Sequence, residues 1–529
     1  MQAIKMFMRL LLVFVVVIRF SNGRSIEYMG DLFFPSFDAT NLFNSKDQTR
    51  GFLSSVFGDN MVLQRNSEDT IIWGFTGAGA NVTAVVTPAL AGSHQFSAQA
   101  DAKGVWRLNL PSIPGSDQEY AFDLHSSSGE LASMRNVLFG DVYICGGQSN
   151  MQFMMKQENN APAEIKLADK YPFIRLFTVG QKTRSSRALD DLQTIEQKWS
   201  VATSKSVIRF SAVCWFFGKQ IADSKIEKVS NLPIGLVSNN WGGTSDKRWS
   251  TKQSLDSCHV APPNDKDSDG NGDLYNAMIH PYTIGPMAIT GFTWYQGEAD
   301  VLDPDLYKCT FPAMIQAWRK AFNASNAYFG FIQLSTWCGV PSIPFQREAQ
   351  MSALKLPKVG YATNADYGAG CNIHPGKKMF CGKRLANSAL ALIYGKNIRW
   401  KSPTYLSVTQ ADVTIIQGDS SKFLATFNVR VALQDVSSEG LVNVYPHNYE
   451  VPNGPFDCMS NGKQNCAWGS LYFQDKDPIN ATVYPNGSDL VLEATGSFAH
   501  FEDVNNLNIV ATSYAFGPVP IMNAYDEAT

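Results

Sequence analysis

The spacing of hydrophobic positions divides the chain into three parts. Up to about Asn136, short apolar runs such as "DTIIWGF" and "GVWRLNLP" are separated by Gly, Pro and Ser. Evenly spaced runs of this kind are typical of short strands. We therefore expect residues 24–136 to form an N-terminal β-sandwich-like domain.

From Val137 the pattern changes to apolar runs that are each followed by a longer amphipathic stretch, as in "GDVYICGG" and "FPAMIQAWRKAF". This alternation predicts an α/β domain over residues 137–400, with a mostly parallel sheet and helices on both faces. Beyond it, alternating positions in "KFLATFNVRVAL" and "DLVLEAT" predict a C-terminal β-rich domain over residues 401–529. Three units fit a chain of 529 residues, which is too long for one ordinary core.

The N-terminus has the layout of a secretory signal. Two basic residues precede an apolar run over residues 10–18, and small residues close the segment. This layout predicts a cleavable signal peptide over residues 1–23 and a mature chain that begins near Arg24. The run is shorter than the ~20 apolar residues that a membrane span needs. We expect a secreted or lysosomal protein with no membrane span after signal cleavage.

Composition and charge exclude several classes of partner. Hydrophobic residues make up 44% of the chain and charged residues 17%, as in soluble globular proteins. The formal net charge of −3 attracts neither nucleic acid nor an anionic membrane surface. The sequence leaves the oligomeric state open.

Passage through the secretory pathway predicts glycans and disulfides. Four asparagines head N-x-S/T sequons and are expected at the surface if they are glycosylated: Asn81, Asn323, Asn480 and Asn486. Nine cysteines leave at least one unpaired within the chain. Cys458 and Cys466 bracket a polar loop and are expected to form a local disulfide.

The remaining cysteines lead to two further expectations. Cys145 and Cys214 lie in apolar runs, so we expect both to be buried free thiols. Cys371 and Cys381 bracket "NIHPGKKMF", where a disulfide would hold the loop around His374. The spacing of the cysteines does not match a zinc site, and no metal is expected.

An aspartate-rich stretch, "DKDSDGNGD" over residues 265–273, is similar to a calcium loop. The position at which an EF-hand places its bidentate Glu is Asn276, so the match fails at its strongest ligand. We interpret the stretch as a solvated loop.

Chemistry in an open α/β sheet gathers in the loops just past the carboxyl ends of the strands. Three predicted strand ends carry unusual polar, Gly-rich sequence: "CGGQSNM" (145–151), "NNWGGTSDKRW" (239–249) and "WYQGEAD" (294–300). A fourth loop carries "NIHPGKK" (372–378). We expect the functional side chains in these four segments.

Ser149 follows two glycines that permit a tight turn and present its hydroxyl at the sheet edge. A serine hydroxyl needs an adjacent base to act as a nucleophile, whereas the same geometry also suits a helix N-cap. His374 is the preferred base, because a nucleophile early and a base late is the order of several serine hydrolases. His280 is the rival, but its apolar flank favours a structural role.

Acyl transfer needs hydrogen-bond donors for the developing oxyanion. The N–H of Ser149, the N–H of Gly243 and the side-chain amide of Gln296 are the candidates. Gly243 fits because a residue without Cβ lets a ligand oxygen approach the backbone. A plain turn at Gly243 and a polar strand cap at Gln296 are the alternatives.

Read together, the four segments resemble the sialate O-acetylesterase family of the SGNH hydrolases, and "SSVFGDNMVLQR" (54–65) is similar to that family's N-terminal β domain. The resemblance covers nearly the whole mature chain. It implies an SGNH-type catalytic domain in which Ser149 is the nucleophile and His374 the base. It also implies an oxyanion hole of Ser149, Gly243 and Gln296.

Two positions depart from the family pattern. Many relatives have Asp two or three residues before the histidine, where this chain has Cys371 and Asn372. Asp366 is the nearest upstream carboxylate and our preferred partner of the imidazole, with Asn372 or a Ser-His dyad as alternatives. Asp300 stands where SGNH enzymes place an asparagine donor, and a carboxylate cannot stabilise an oxyanion.

The resemblance implies hydrolysis of O-acetyl esters, with 9-O-acetylated sialic acid as the substrate, through an acetyl-enzyme and without metal or cofactor. An acetylxylan or other glycan acetylesterase of the same mechanism is the alternative enzyme. A catalytically inactive glycan-binding homologue is the alternative from another class.

Overall fold

The structure, a computed structural model, describes residues 50–226, 231–260, 270–417, 422–443, 469–474, 476–500, 503–504, 507–516 and 524–526. The predicted signal peptide, the predicted Cys458–Cys466 disulfide and most of the aspartate-rich stretch lie outside these residues. No helix within them is long and apolar enough to cross a membrane.

The N-terminal part is built from β-strands that pair mainly antiparallel, and most of them are short, as the sequence pattern predicts. These strands are β1 (Val62–Gln64), β2 (Ile71–Phe75), β3 (Asn81–Leu90), β4 (Ser93–Gln99), β5 (Val105–Asn109), β6 (Ser116–Ser126) and β7 (Leu131–Gly147). Strand β3 pairs with β4 and β6, β2 pairs with β5, and β6 pairs with β7, all antiparallel, whereas β1 pairs parallel with β7. Buried and exposed positions alternate along β3, which is typical of a sheet with one covered face.

Strand β7 continues from this region into the central sheet, across the predicted boundary at residues 136–137. Its first half pairs antiparallel with β6, and its second half is the middle strand of the α/β sheet. All residues from Val137 to Gly147 are buried, because this half is covered on both faces. The two regions are therefore joined through one continuous strand.

The central sheet has the strand order β13-β12-β11-β7-β10-β8-β9. The further strands are β8 (Ile174–Val179), β9 (Ile195–Val201), β10 (Ile234–Asn240), β11 (Gly291–Tyr295), β12 (Tyr328–Ile332) and β13 (Val359–Ala362). All neighbours along this order are parallel except β8 and β9. The prediction of a mostly parallel sheet is confirmed.

Helices cover both faces of the sheet. The helices are α1 (Ser149–Gln152), α2 (Ala161–Leu167), α3 (Ala212–Asp223), α4 (Lys252–Ser257), α5 (Pro304–Ala321), α6 (Ile343–Met351) and α7 (Lys378–Leu392). Shorter helical turns occupy Met155–Gln157, Ala168–Lys170, Asp246–Trp249, Tyr275–Ile279, His280–Thr283, Glu298–Asp300, Ser352–Lys355 and Ala365–Tyr367. Along β7, Val142 and Ile144 enter one hydrophobic cluster, and Tyr143 and Cys145 enter another. The alternation shows that each face has its own core.

The C-terminal part is a separate β-rich domain, as expected. Its strands are β14 (Thr404–Gln417), β15 (Phe423–Gln434), β16 (Leu441–Asn443), β17 (Gly469–Phe473), β18 (Ile479–Asn486), β19 (Asp489–Phe498), β20 (Ile509–Tyr514) and β21 (Ala524–Asp526). Six of them form an antiparallel sheet in the order β14-β15-β19-β18-β17-β20, and this sheet has its own hydrophobic cluster.

The cysteines pair differently from the sequence-based expectation. The described disulfides are Cys145–Cys214, Cys258–Cys309 and Cys338–Cys371. The expectation that Cys145 and Cys214 are free thiols is wrong, because β7 and α3 pack together and bring the two cysteines face to face. The expected Cys371–Cys381 disulfide is also wrong, since Cys381 is a buried free thiol on α7.

All four sequon asparagines are exposed, as expected: Asn81, Asn323, Asn480 and Asn486. Within the aspartate-rich stretch, Asp273 is described and buried, and its carboxylate binds Arg248 at 2.9 Å. This aspartate therefore belongs to an ion pair and not to a solvated loop.

Candidate active site

Three of the four polar segments meet where the central strands end. Strands β10 and β11 flank β7 on either side, and Gly147 at the end of β7 pairs with Asn240 and with Tyr295. The residues that follow these three strands are therefore neighbours at one edge of the sheet. This is the carboxyl edge, where the sequence predicts the functional side chains.

The turn before Ser149 requires glycine. Gly147 has a φ of +133°, and a Cβ at this position would lie 2.2 Å from the carbonyl oxygen of Tyr295. Ser149 is the first residue of α1, whereas Gln148 occupies the N-cap position. The Ser149 hydroxyl is thus not an N-cap and is available for another partner.

That partner is His374. Its Nε2 lies 2.8 Å from the Oγ of Ser149, which confirms the prediction that the two side chains are within hydrogen-bonding reach. Burial and the nearby Lys378 ammonium lower the pKa of His374. The imidazole is therefore neutral near pH 7 and able to accept the serine proton.

The rival histidine has a structural position. The Nδ1 of His280 lies 2.9 Å from the carbonyl oxygen of Leu189, and its ring packs edge-on against Tyr275. These contacts agree with the expected structural role of His280.

The loop after β10 approaches the candidate nucleophile. A Cβ on Gly242 would lie 3.3 Å from the Cβ of Ser149, and the Gly242 N–H donates to Gln152 at 2.9 Å. Gly243 follows with a φ of +72°, is exposed, and has no atom within 4 Å of the position that a Cβ would occupy. This open space leaves room for a ligand atom next to the Gly243 backbone.

Gln296 has a different place from the one expected. Its amide nitrogen donates to the carbonyl oxygen of Thr244 at 3.1 Å and to Asp300, and its amide oxygen accepts from the Tyr307 hydroxyl at 3.0 Å. A primary amide has two N–H donors, and both are used inside the protein. We therefore correct the assignment of Gln296 as an oxyanion donor: it tethers the loop that contains Gly243.

The two candidate partners of the His374 ring also bind elsewhere. The carboxylate of Asp366 accepts hydrogen bonds from both terminal nitrogens of the Arg384 guanidinium, at 2.8 and 2.7 Å. The side-chain oxygen of Asn372 accepts the backbone N–H of His374 at 2.9 Å and so holds the loop. Among the described residues, no carboxylate forms a hydrogen bond with the imidazole. Of the three arrangements weighed from the sequence, the geometry fits a Ser-His dyad.

Asp300 belongs to a buried carboxyl pair. Its Oδ2 accepts the backbone N–H of Asp246 at 3.1 Å, and Asp246 in turn accepts the Thr310 hydroxyl at 2.5 Å. Burial raises the pKa of both aspartates, that of Asp300 to about 6. The pair joins the loop after β10 to the segment after β11.

Three further buried polar residues were missed by the sequence reasoning. Asn150, Glu298 and Lys378 are each buried next to the candidate site. Burial raises the pKa of Glu298 and lowers that of Lys378 to about 8. All three stand in polar segments that the sequence singled out, so their position was the available signal.

The chain is similar to known carbohydrate esterases. Residues 139–391 match the family described as carbohydrate esterase, sialic acid-specific acetylesterase. The sialate O-acetylesterase of Homo sapiens is 32% identical over 387 residues, covering 66% of this chain and 72% of the relative. That of Mus musculus is 31% identical over 419 residues, covering 67% and 76%. A carbohydrate acetylesterase from Xanthomonas citri superposes with a TM-score of 0.71 at 25% identity, covering 90% of this chain and 97% of that structure.

Proposed function

Because the chain belongs to the sialate O-acetylesterase family and is a carboxylic ester hydrolase, we propose that it removes acetyl groups from O-acetylated sialic acids. The observation that carries the proposal is the 2.8 Å contact between Ser149 Oγ and His374 Nε2 at the carboxyl edge of the sheet. A nucleophile within reach of a neutral base is the arrangement that ester hydrolysis through an acyl-enzyme requires.

In the first half of the reaction, His374 Nε2 takes the Ser149 proton as Oγ attacks the acetyl carbonyl. The imidazolium then gives this proton to the leaving sugar oxygen, and the acetyl group stays on Oγ. In the second half, His374 deprotonates a water that attacks the acetyl-enzyme. The proton returns to Ser149, and acetate leaves.

The developing oxyanion needs donors that are already in place. Ser149 is the first residue of α1, and the first N–H groups of a helix have no intrahelical acceptor. The open space beside Gly243 supports its N–H as the second donor. We assign the oxyanion hole to these two backbone groups, without Gln296.

The finer fold assignment is part of the same proposal. Ser149, Gly243 and His374 come from separate segments in the order that the SGNH hydrolases show. Ser149 and Gly243 follow strands that end at one sheet edge, and His374 contacts Ser149. This arrangement supports an SGNH-type catalytic domain over residues 137–400.

We also propose that the protein passes through the secretory pathway to a secreted or lysosomal location, after loss of a signal peptide over residues 1–23. Three disulfides in the described residues support this, because disulfides persist in oxidising compartments. The four exposed sequons are the proposed glycosylation sites.

A substrate panel tests the function. Purified protein is given 9-O-acetylated sialic acid, acetylated xylan and acetylated pectin fragments, and released acetate is measured. We expect the highest kcat/KM on the sialic acid and no turnover by folded Ser149→Ala. A preference for xylan would favour the acetylxylan esterase, and no release from any ester would favour the glycan-binding homologue.

A further inference from the structure

Asn150 is completely buried one residue after Ser149, and its side chain bonds three partners. Its amide nitrogen donates to Glu298 Oε1 at 2.5 Å and to the carbonyl oxygen of Ile373 at 2.9 Å. Its amide oxygen accepts from the Lys378 ammonium. Asn150 therefore joins the nucleophile turn to the residue that precedes the candidate base.

The two charged partners are costly to bury singly. Lys378 is fully buried as the first residue of α7, where the positive end of the helix dipole opposes an ammonium. Aromatic rings stabilise it in part, since Nζ lies 4.9 Å from the ring centre of Phe153 and 5.2 Å from that of Tyr295. Glu298 is buried, and its Oε2 has no hydrogen-bond partner in the described part of the chain. Each charge is tolerated because the other stands on the opposite side of Asn150.

The histidine loop is held through its backbone and not through the imidazole. Asn150 binds the carbonyl oxygen of Ile373, and Asn372 binds the N–H of His374. Both contacts are made to the peptide group that joins Ile373 to His374, the residue that must face Ser149. They hold the loop in position, as the carboxylate of a Ser-His-Asp triad holds the imidazole ring.

We propose that Asn150, held between the Lys378 ammonium and the Glu298 carboxylate, is a positioning residue that fixes the His374 loop against Ser149. The proposal rests on the proposed esterase function of these last two residues. It assigns Lys378 and Glu298 no contact with substrate.

The ammonium also acts on the base through space. Lys378 faces the Cys381 thiol on its own helix and Glu298 after β11, and it lowers the pKa of His374. Glu298 faces Lys378 and Asp300. Loss of the ammonium should raise the pKa of His374. The acidic limb of the kcat/KM profile should therefore move to higher pH.

The first test is Asn150→Ala, assayed on a small chromogenic acetate ester. We expect kcat to fall by roughly 10- to 100-fold with little change in KM, because the reacting side chains lose their alignment while the open space beside Gly243 is unchanged. Lys377→Met is the control, since Lys377 is the exposed neighbour of the buried lysine. A folded Asn150→Ala protein with wild-type kcat overturns the proposal.

The second test removes the charges. Lys378→Met alone leaves an uncompensated buried carboxylate, whereas Lys378→Met with Glu298→Gln removes both charges and keeps the volume. We expect the double variant to recover melting temperature but to keep a reduced kcat and an acidic limb of kcat/KM at higher pH. A purely structural role would restore kcat together with the melting temperature, and that result contradicts the proposal.

Ser149→Ala, assayed on the same ester, distinguishes a failure of the proposed esterase function from a failure of the positioning role. Turnover by this variant refutes the proposed function itself. If Ser149→Ala is inactive while the Asn150 and Lys378 variants match the wild type, the positioning role alone is refuted.

Discussion

The buried pair of Asp246 and Asp300 should make the free energy of unfolding depend on pH in a predictable way. Burial and the charge of Asp300 raise the pKa of Asp246 well above its usual value, while Asp300 has a pKa of about 6. Asp246 therefore keeps its proton at pH values where an aspartate in the unfolded chain is ionised, and shares it with Asp300. The folded protein holds a proton that an unfolded aspartate has released.

The sign follows from proton linkage. An aspartate in the unfolded chain loses its proton near pH 3.9. Below about pH 4 the protonated carboxyl therefore does not lower the free energy of unfolding. Above that pH, protonated Asp246 gives the folded state one more bound proton than the unfolded state, and its contribution to the free energy of unfolding falls as the pH rises. Asp300, with a folded pKa of about 6, adds a second proton below that pH in wild type and variant alike. One extra proton corresponds to about 1.4 kcal/mol per pH unit, until the folded carboxyl itself ionises.

Asp246→Asn removes this proton and keeps the contacts. The new amide can donate to Asp300, and its oxygen can accept the Thr310 hydroxyl, now 2.5 Å from Asp246. We expect the stability of the variant relative to wild type to increase by about 1.4 kcal/mol between pH 5 and pH 6. The increase should continue up to the pKa of folded Asp246.

Urea denaturation at pH 5, 6 and 7, followed by tryptophan fluorescence with the disulfides intact, measures this difference. Asp256→Asn is the control, because Asp256 is exposed on α4 and pairs with Lys252 at the surface. A difference between Asp246→Asn and wild type that stays constant from pH 5 to pH 7 would refute the reasoning, since Asp246 would then be ionised in the folded protein.

Three further outcomes follow from the site. Asp366→Asn breaks the ion pair with Arg384 and should lower the free energy of unfolding by about 1–3 kcal/mol, while kcat stays close to wild type. A loss of kcat as large as that of His374→Ala would show that Asp366 is the partner of the imidazole ring. Burial and a nearby ammonium lower the pKa of His374, so the acidic limb of kcat/KM should lie below pH 6.5, and a limb above that value contradicts the geometry. Replacing Cys338 and Cys371 by Ser opens a disulfide between residues 33 apart and should reduce the free energy of unfolding by about 3–4 kcal/mol, with unchanged chemical denaturation as the contrary result.

The sequence by itself determined the architecture and the two residues at the centre of the site. Apolar runs that end in glycine-rich polar segments mark strand ends, and parallel strands present those ends at one edge. This rule pointed to Ser149, whereas the order of nucleophile and base along the chain and the family resemblance selected His374. The contact between the two side chains is present. The alternating pattern after residue 400 likewise identified the separate C-terminal sheet.

The tertiary structure alone decided which side chains serve which neighbours. Asp366 is near His374 in sequence, but Arg384 on α7 takes both of its oxygens. Gln296 is at the right strand end, but Thr244 and other internal partners use its donors. Separation along the chain does not determine which buried polar groups form hydrogen bonds with each other. A donor or acceptor that is occupied by one partner is no longer available to another.

The same reason explains the cysteines. Apolar flanks correctly predicted that Cys145 and Cys214 are buried. Burial depends on local composition, whereas a disulfide depends on two elements meeting at the correct distance. Only the packing of α3 on β7 brings these two cysteines to a Cα–Cα distance of 5.9 Å, because it joins residues that are 69 positions apart.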